Sequence, residues 1–160
     1  MVNGDKKLTD ELQLPSSLKE IGTTCFTNTG VRGNITISGT TDIYNNADYA
    51  NYSQATPYNR YLFSCTEQDG TGTNIESIKF EHGIEIVPSS IAKGCKNLKK
   101  VYFSDTVNTI KSYAFYNTGL EGTLVIPQKV TQIEERAFAF SKNIDNIIIE
   151  NPNVSLGQWR

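Results

Sequence analysis

The chain has one histidine, His82, so a Ser-His-Asp or Cys-His arrangement would have a single available base, and it falls in the turn Glu81-His82-Gly83 directly after a predicted strand. That is a weak signal for nucleophilic catalysis. Glu134 and Glu135 are neighbours in sequence, which on a short segment makes a solvated face rather than an opposed acid and base. Asp69 to Asn74 contains glycines but lacks the Gly-Lys-Ser/Thr ending of a phosphate loop and the alternating acids of a calcium loop. Cys25, Cys65 and Cys95 are odd in number, far apart and outside any C-x-x-C pair, so they are expected to fill small apolar slots in a core. The sequence therefore offers no catalytic, cofactor-binding or metal-ligating set, and we expect a protein that is not an enzyme and needs no cofactor.

The composition narrows the partners. With 160 residues, 38% of them hydrophobic and 20% charged, the chain suits one soluble domain with a core. A formal charge of -2 with scattered lysines argues against nucleic acid. No apolar run is long enough for membrane insertion, and MVNGDKKLTDEL holds no secretory segment, which leaves a cytosolic protein or one whose export signal was removed. The triplets Asn34-Ile-Thr, Asn51-Tyr-Ser and Asn153-Val-Ser have the glycosylation form, which matters only for an exported eukaryotic protein.

What organises the chain is a period. The pairs Ile78 and Phe80, Val101 and Phe103, Leu124 and Ile126, Ile147 and Ile149 recur every 23 residues, and Leu12 and Leu14 stand 23 before Ile35 and Ile37. Each pair reads apolar, other, apolar, the signature of a strand with one face buried, which predicts six short strands. Behind them further columns recur in phase: Leu18, Ile21, Cys25, Phe26; Ile84, Val87, Ile91, Ala92; Val107, Ile110, Ala114, Phe115; Val130, Ile133, Ala137, Phe138. The last slots are Cys95 and Leu98, then Thr118 and Leu120 with a one-place slip, then Ser141 and Ile144. Such a short unit cannot hold a strand and a full return helix, so the return is expected to be a turn with a short helical or 3-10 piece, anchored by Phe26, Phe63, Phe115 and Phe138. Ala92 replaces the expected Phe and predicts a weakened coil.

The fold expected is an α/β repeat solenoid, a right-handed leucine-rich-repeat coil with a parallel sheet of about six short strands on one face and short turns or helical pieces on the other. It forms a single domain over 1–160, with repeats at about 8–34, 35–77 (insertion 38–54), 78–100, 101–123 and 124–146, and a partial unit at 147–160. The segments SYAFYNTGLEGTLVIPQKVTQIEERAF and LQLPSSLKEIGTTCF resemble the BspA-like leucine-rich repeat family, bacterial surface proteins whose repeats run I-P-x-x-V-x-x-I-x-x-x-A-F. Ile126, Pro127, Val130, Ile133, Ala137 and Phe138 match that pattern, as do Leu14, Pro15, Leu18, Ile21 and Phe26. The resemblance covers about residues 8 to 150. It implies a secreted or cell-surface protein engaged in protein-protein interaction or cell adhesion, with a host matrix or cell-surface protein as partner.

Two surfaces are candidates for binding. Ile35 to Ile78 exceeds one repeat by 20 residues, with about 14 extra between Ser38 and Gln54 and about six in Glu67 to Asn74. Tyr44, Tyr49 and Tyr52 lie in the first insertion, where they would anchor a protein or stack on a glycan; the alternatives are rings folded over their own loop, or a degenerate sixth coil with no loop. The second surface is the outward column of the sheet, Gln13, Thr36, Lys79, Tyr102, Val125 and Ile148, whose C-terminal half is apolar. The functional reading is a non-catalytic binding module. A carbohydrate-binding module using the tyrosine-rich loop 44–58 and an intracellular scaffold are the alternatives.

Overall fold

The computed structural model describes residues 12–17, 26, 31–39, 63 and 74–157. Tyr44, Tyr49 and Tyr52, Cys25 and Cys65, and both insertions apart from Ser38 and Gly39 at the edge of the first and Asn74 at the end of the second, lie outside them. Among the described residues ten strands follow one another: β1 (Leu12–Gln13), β2 (Arg32–Ile37), β3 (Asn74–Phe80), β4 (Ile86–Val87), β5 (Lys100–Tyr102), β6 (Thr109–Ile110), β7 (Glu121–Ile126), β8 (Gln132–Ile133), β9 (Asn143–Ile149) and β10 (Ser155–Leu156).

Every pairing is parallel and steps by whole coils. At the front, β1-β2-β3-β5 form one ladder and β7-β9 another, with Leu12 beside Ile35, Ile35 beside Ile78, Ile78 beside Val101 and Leu124 beside Ile147. All six strands expected from the apolar pairs are present. A second ladder, β4-β6-β8-β10, was not expected: its two-residue strands stack Val87, Ile110, Ile133 and Leu156 at the same 23-residue step.

The expected helical pieces are corrected by the structure, since no helix occurs among the described residues. The return arcs are runs of turns whose backbone groups bond between coils: Ser90, Ala92 and Gly94 donate N–H to the carbonyls of Ser112, Ala114 and Tyr116 at 3.1, 2.9 and 2.8 Å. Tyr113, Phe115 and Asn117 repeat this toward Glu135, Ala137 and Ala139 at 3.2, 2.7 and 2.8 Å. A helix satisfies its polar groups internally but needs more chain than these units have; bonding to the next coil serves the same need with fewer residues. The turns pass through left-handed residues, Ser90, Tyr113 and Arg136 in one slot and Gly94, Asn117 and Phe140 in another.

Inside, one apolar interior runs through the coils. Ile78, Ile84, Val87, Ala92, Cys95, Leu98, Val107, Ile110, Ala114, Phe115, Ile126 and Val130 are fully buried. Phe63 and Phe115 are buried while Phe26 and Phe138 are half-buried, and they stack in pairs, Phe26 on Phe63 at 5.7 Å and Phe115 on Phe138 at 5.4 Å. In the coil with Ala92, the large residue of the dipeptide is Ile91, and Phe80 meets Phe115 of the next coil edge-on at 6.4 Å. The column Cys95, Thr118, Ser141 is small because it bonds to backbone: the Cys95 thiol donates to the Phe63 carbonyl at 3.0 Å, and Thr118 and Ser141 donate to the Phe115 carbonyl at 3.1 and 2.9 Å.

Candidate functional site

The outward column follows from the pleat. In β7 the residues alternate between solvent and core over Thr123 to Ile126, and in β3 the pattern places Lys79 outward between buried Ile78 and Phe80. Lys79, Tyr102, Val125 and Ile148 all stand exposed, Tyr102 at 55% and Val125 and Ile148 at 44%. The structure thus brings these four predicted residues onto one face, each a coil apart. Lys79 Nζ lies 3.7 Å from Glu81, which also accepts from the Ser38 hydroxyl at 2.7 Å.

The front ladder is interrupted between Tyr102 in β5 and Val125 in β7. Leu98 and Leu120, both buried, are 22 residues apart, whereas Val101 and Leu124 are 23 apart. Gly122, at φ 74°, sits at a register shift in the pairing of β7 with β9, as Gly33, at φ 72°, does in the pairing of β2 with β3. Just before it, Gly119 packs against the Lys96 carbonyl so closely that a Cβ would stand 1.9 Å from the oxygen. Glu121 N–H reaches the Lys99 carbonyl at 3.2 Å, but no ladder joins β5 to β7.

A cleft therefore opens on the front. Tyr102 and Val125 flank it, Val101, Phe103 and Leu124 form part of its wall, and Lys99, Lys100, Asp105, Glu121 and Glu150 line it. Lys99 Nζ pairs with Glu121 at 3.1 Å, and Lys100 Nζ donates to the Glu121 carbonyl at 3.2 Å, tying the rim together. A hollow with a largely polar lining adjoins it, sharing Lys99, Lys100 and Tyr102 and adding Arg32, Asn34, Asn74, Glu76, Ser77 and Asn97. There Asn97 donates to Asn74 at 2.7 Å and Ser77 to Asn34 at 2.6 Å.

His82 lies at the end of this face, with Nδ1 3.0 Å from Asp105 in an exposed pair. The hydrogen bond from His82 holds the Asp105 carboxyl below its ordinary value. Elsewhere, Glu134 takes Lys111 at 2.8 Å and the hydroxyl and N–H of Ser112 at 2.9 and 3.0 Å. Partial burial pushes that carboxyl up, but these bonds outweigh it and the net direction is down.

Sequence reasoning missed an aromatic and cationic cluster on the return arcs, Tyr113, Tyr116 and Phe140 with Lys93 and Arg136. Its signal was present: Tyr113 and Arg136 stand 23 residues apart, as do Lys93 and Tyr116.

A parallel solenoid with one front strand per short coil and an outward ladder is the architecture of a leucine-rich repeat protein. The chain belongs to the BspA-type leucine-rich repeat family: the model of the BspA type Leucine rich repeat region matches six copies over residues 5–66 and 70–159. Among solved structures it is similar to a leucine rich cell surface protein from Faecalibacterium prausnitzii, at 19% identity and a TM-score of 0.55. That likeness covers 89% of this chain and 39% of that one, so the chain spans well under half the length of the protein it resembles. No curated protein matches. Among the described residues no helix is long and apolar enough to cross a membrane.

Proposed function

We propose that the chain is a non-catalytic binding module of a cell surface, holding a protein partner on the outward ladder of its front sheet. One observation carries this reading: Lys79, Tyr102, Val125 and Ile148 are exposed on one face, and Lys79 and Val125 stand between buried neighbours, Ile78 and Phe80 in β3 and Leu124 and Ile126 in β7. Side chains set on so firm a base lose little freedom when a partner arrives, and a tyrosine beside a cleft is the kind of residue that anchors an interface. The family and the cell-surface protein of similar fold support placement outside the cell. Adhesion to a host matrix protein or to another cell is the specific form we propose.

The test is a panel of immobilised matrix and cell-surface proteins probed with the wild-type chain and with Tyr102→Ala combined with Val125→Ser. The double variant should lose about 10-fold or more in affinity for any partner the wild type holds. Its melting temperature should stay within about 2 °C, because both side chains already face water. Equal binding by the two proteins would remove the ladder from the mechanism.

A further inference from the structure

The return arcs at 88–96, 111–119 and 134–142 each turn through two left-handed residues four positions apart. The second slot holds Gly94, Asn117 and Phe140, at φ 81°, 57° and 61°. Glycine sits there freely and asparagine readily, whereas a bulky side chain brings its Cβ against the backbone. Phe140 occupies the slot against that preference, and burial does not compensate, for the residue is 56% exposed. A ring that costs backbone energy and remains in water is a place to look for a contact outside the chain.

Its surroundings indicate the kind of contact. Phe140 meets Tyr116 edge-on at 5.1 Å, and Tyr116 meets Tyr113 at 5.4 Å. Lys93 Nζ stands 5.5 and 5.4 Å from the centres of the two tyrosine rings, and Arg136 lies 5.8 Å over Tyr113 while donating to its hydroxyl at 3.1 Å. The three arcs carry five cations, Lys93, Lys96, Lys111, Arg136 and Lys142, against Glu134 and Glu135, in a chain of net charge -2. Both acids are already held in ion pairs, Glu134 with Lys111 at 2.8 Å and Glu135 with Arg136 at 3.3 Å. Over these three arcs the cations outnumber the acids by three. The rings are inclined by 53° and 63°, which makes steps for an apolar side chain and not the single flat plane on which consecutive sugar rings would lie.

We infer that this arc surface is a second binding site, for an acidic protein segment. An apolar side chain of the segment seats against Phe140 and Tyr116, and its carboxylates lie on the side of the cations that outnumber the acids of the arcs, Lys93 among them. The site is separate from the front ladder and stands or falls without it.

The probe is a fluorescent peptide with one Phe among alternating Glu and Leu, titrated against the full 160-residue chain, with a Lys-for-Glu peptide and a hyaluronan oligosaccharide as comparators. The acidic peptide should bind and the basic one should not. Lys93→Glu and Phe140→Asn should each weaken binding about 10-fold. Phe140→Asn should also leave the melting temperature unchanged or raised, as Asn117 already occupies the equivalent slot. The inference is overturned by unchanged binding in either variant, by no binding of the acidic peptide up to about 1 mM, or by equal binding of hyaluronan. A fall of more than about 4 °C in the Phe140→Asn melt would also overturn it, by making the ring a structural cover.

Discussion

Leu124 and Ile126 in β7 occupy the same two columns as Ile147 and Ile149 in β9, pair with them residue for residue, and have nearly the same chemistry. The first two are 5% and 0% exposed; the second two are 49% and 37% exposed. The neighbouring ladder repeats the contrast, with Ile133 at 8% and Leu156 at 59%. β9 and β10 each pair along one edge, and among the described residues no strand lies on the other. In a stacked coil a residue is buried by its neighbours in the next unit as much as by its own column. Stability in such a fold is a sum of unit terms and nearest-neighbour terms, and among the described residues the unit of β9 and β10 has a neighbour on one side only.

Several substitutions would sharpen or break this contrast. The largest effect belongs to Phe115→Asp. It places a carboxylate where Phe80, Phe103 and Phe138 converge, and should cost upwards of about 4 kcal/mol, enough to abolish the cooperative transition in a circular dichroism melt. Next comes a matched pair read by urea denaturation. Ile126→Ala should cost about 2–5 kcal/mol, whereas Ile149→Ala, in the same column of the outer coil, should cost under about 1 kcal/mol. Equal losses would mean that something covers the outer coil in solution.

Smaller still is the contribution of Glu134, on a half-buried return arc. Its carboxyl is held below the ordinary 4.5 in the folded chain, so the folded state binds fewer protons than the unfolded one near that pH. The resulting stability is fully present above pH 4.5 and is lost as the pH falls through the folded value. Glu134→Gln should cost about 0.5–1 kcal/mol at pH 7 and flatten the melting temperature's dependence on pH in the acid range. A variant that keeps the wild-type slope would show that other carboxyls set the acid response. Smallest of all is the stability change in the Tyr102 and Val125 variant, expected to lie near zero even though binding falls.

Much of this was legible before the fold was known, and for one reason. A 23-residue step repeated over several columns specifies which residues stack, so Leu12 beside Ile35 and Ile78 beside Val101 could be read directly. The outward position of Lys79, Tyr102, Val125 and Ile148 followed from the alternation around them. The nature of the return was not legible, because apolar spacing marks buried positions without saying whether backbone groups bond within a helix or across to the next coil. The short second ladder was hidden for the same reason, since two-residue strands are too brief to show alternation. The cleft was half legible: the slip at Leu120 could be seen, but not that β5 and β7 would lose their pairing there. The cluster around Tyr113, Tyr116 and Phe140 escaped because its members are scattered along the arcs and meet only when coils stack.

By itself, then, the sequence determined the period, the columns of the interior, the parallel order of the front strands and the side chains that turn outward, because each follows from periodicity and from the two faces of a strand. Tertiary structure alone decided which identical residues are covered and which stand open, where a ladder parts to leave a cleft, and which rings and cations come together. Those outcomes depend on what lies across from a residue in the adjoining coil, and that neighbour is at least a full turn of chain away.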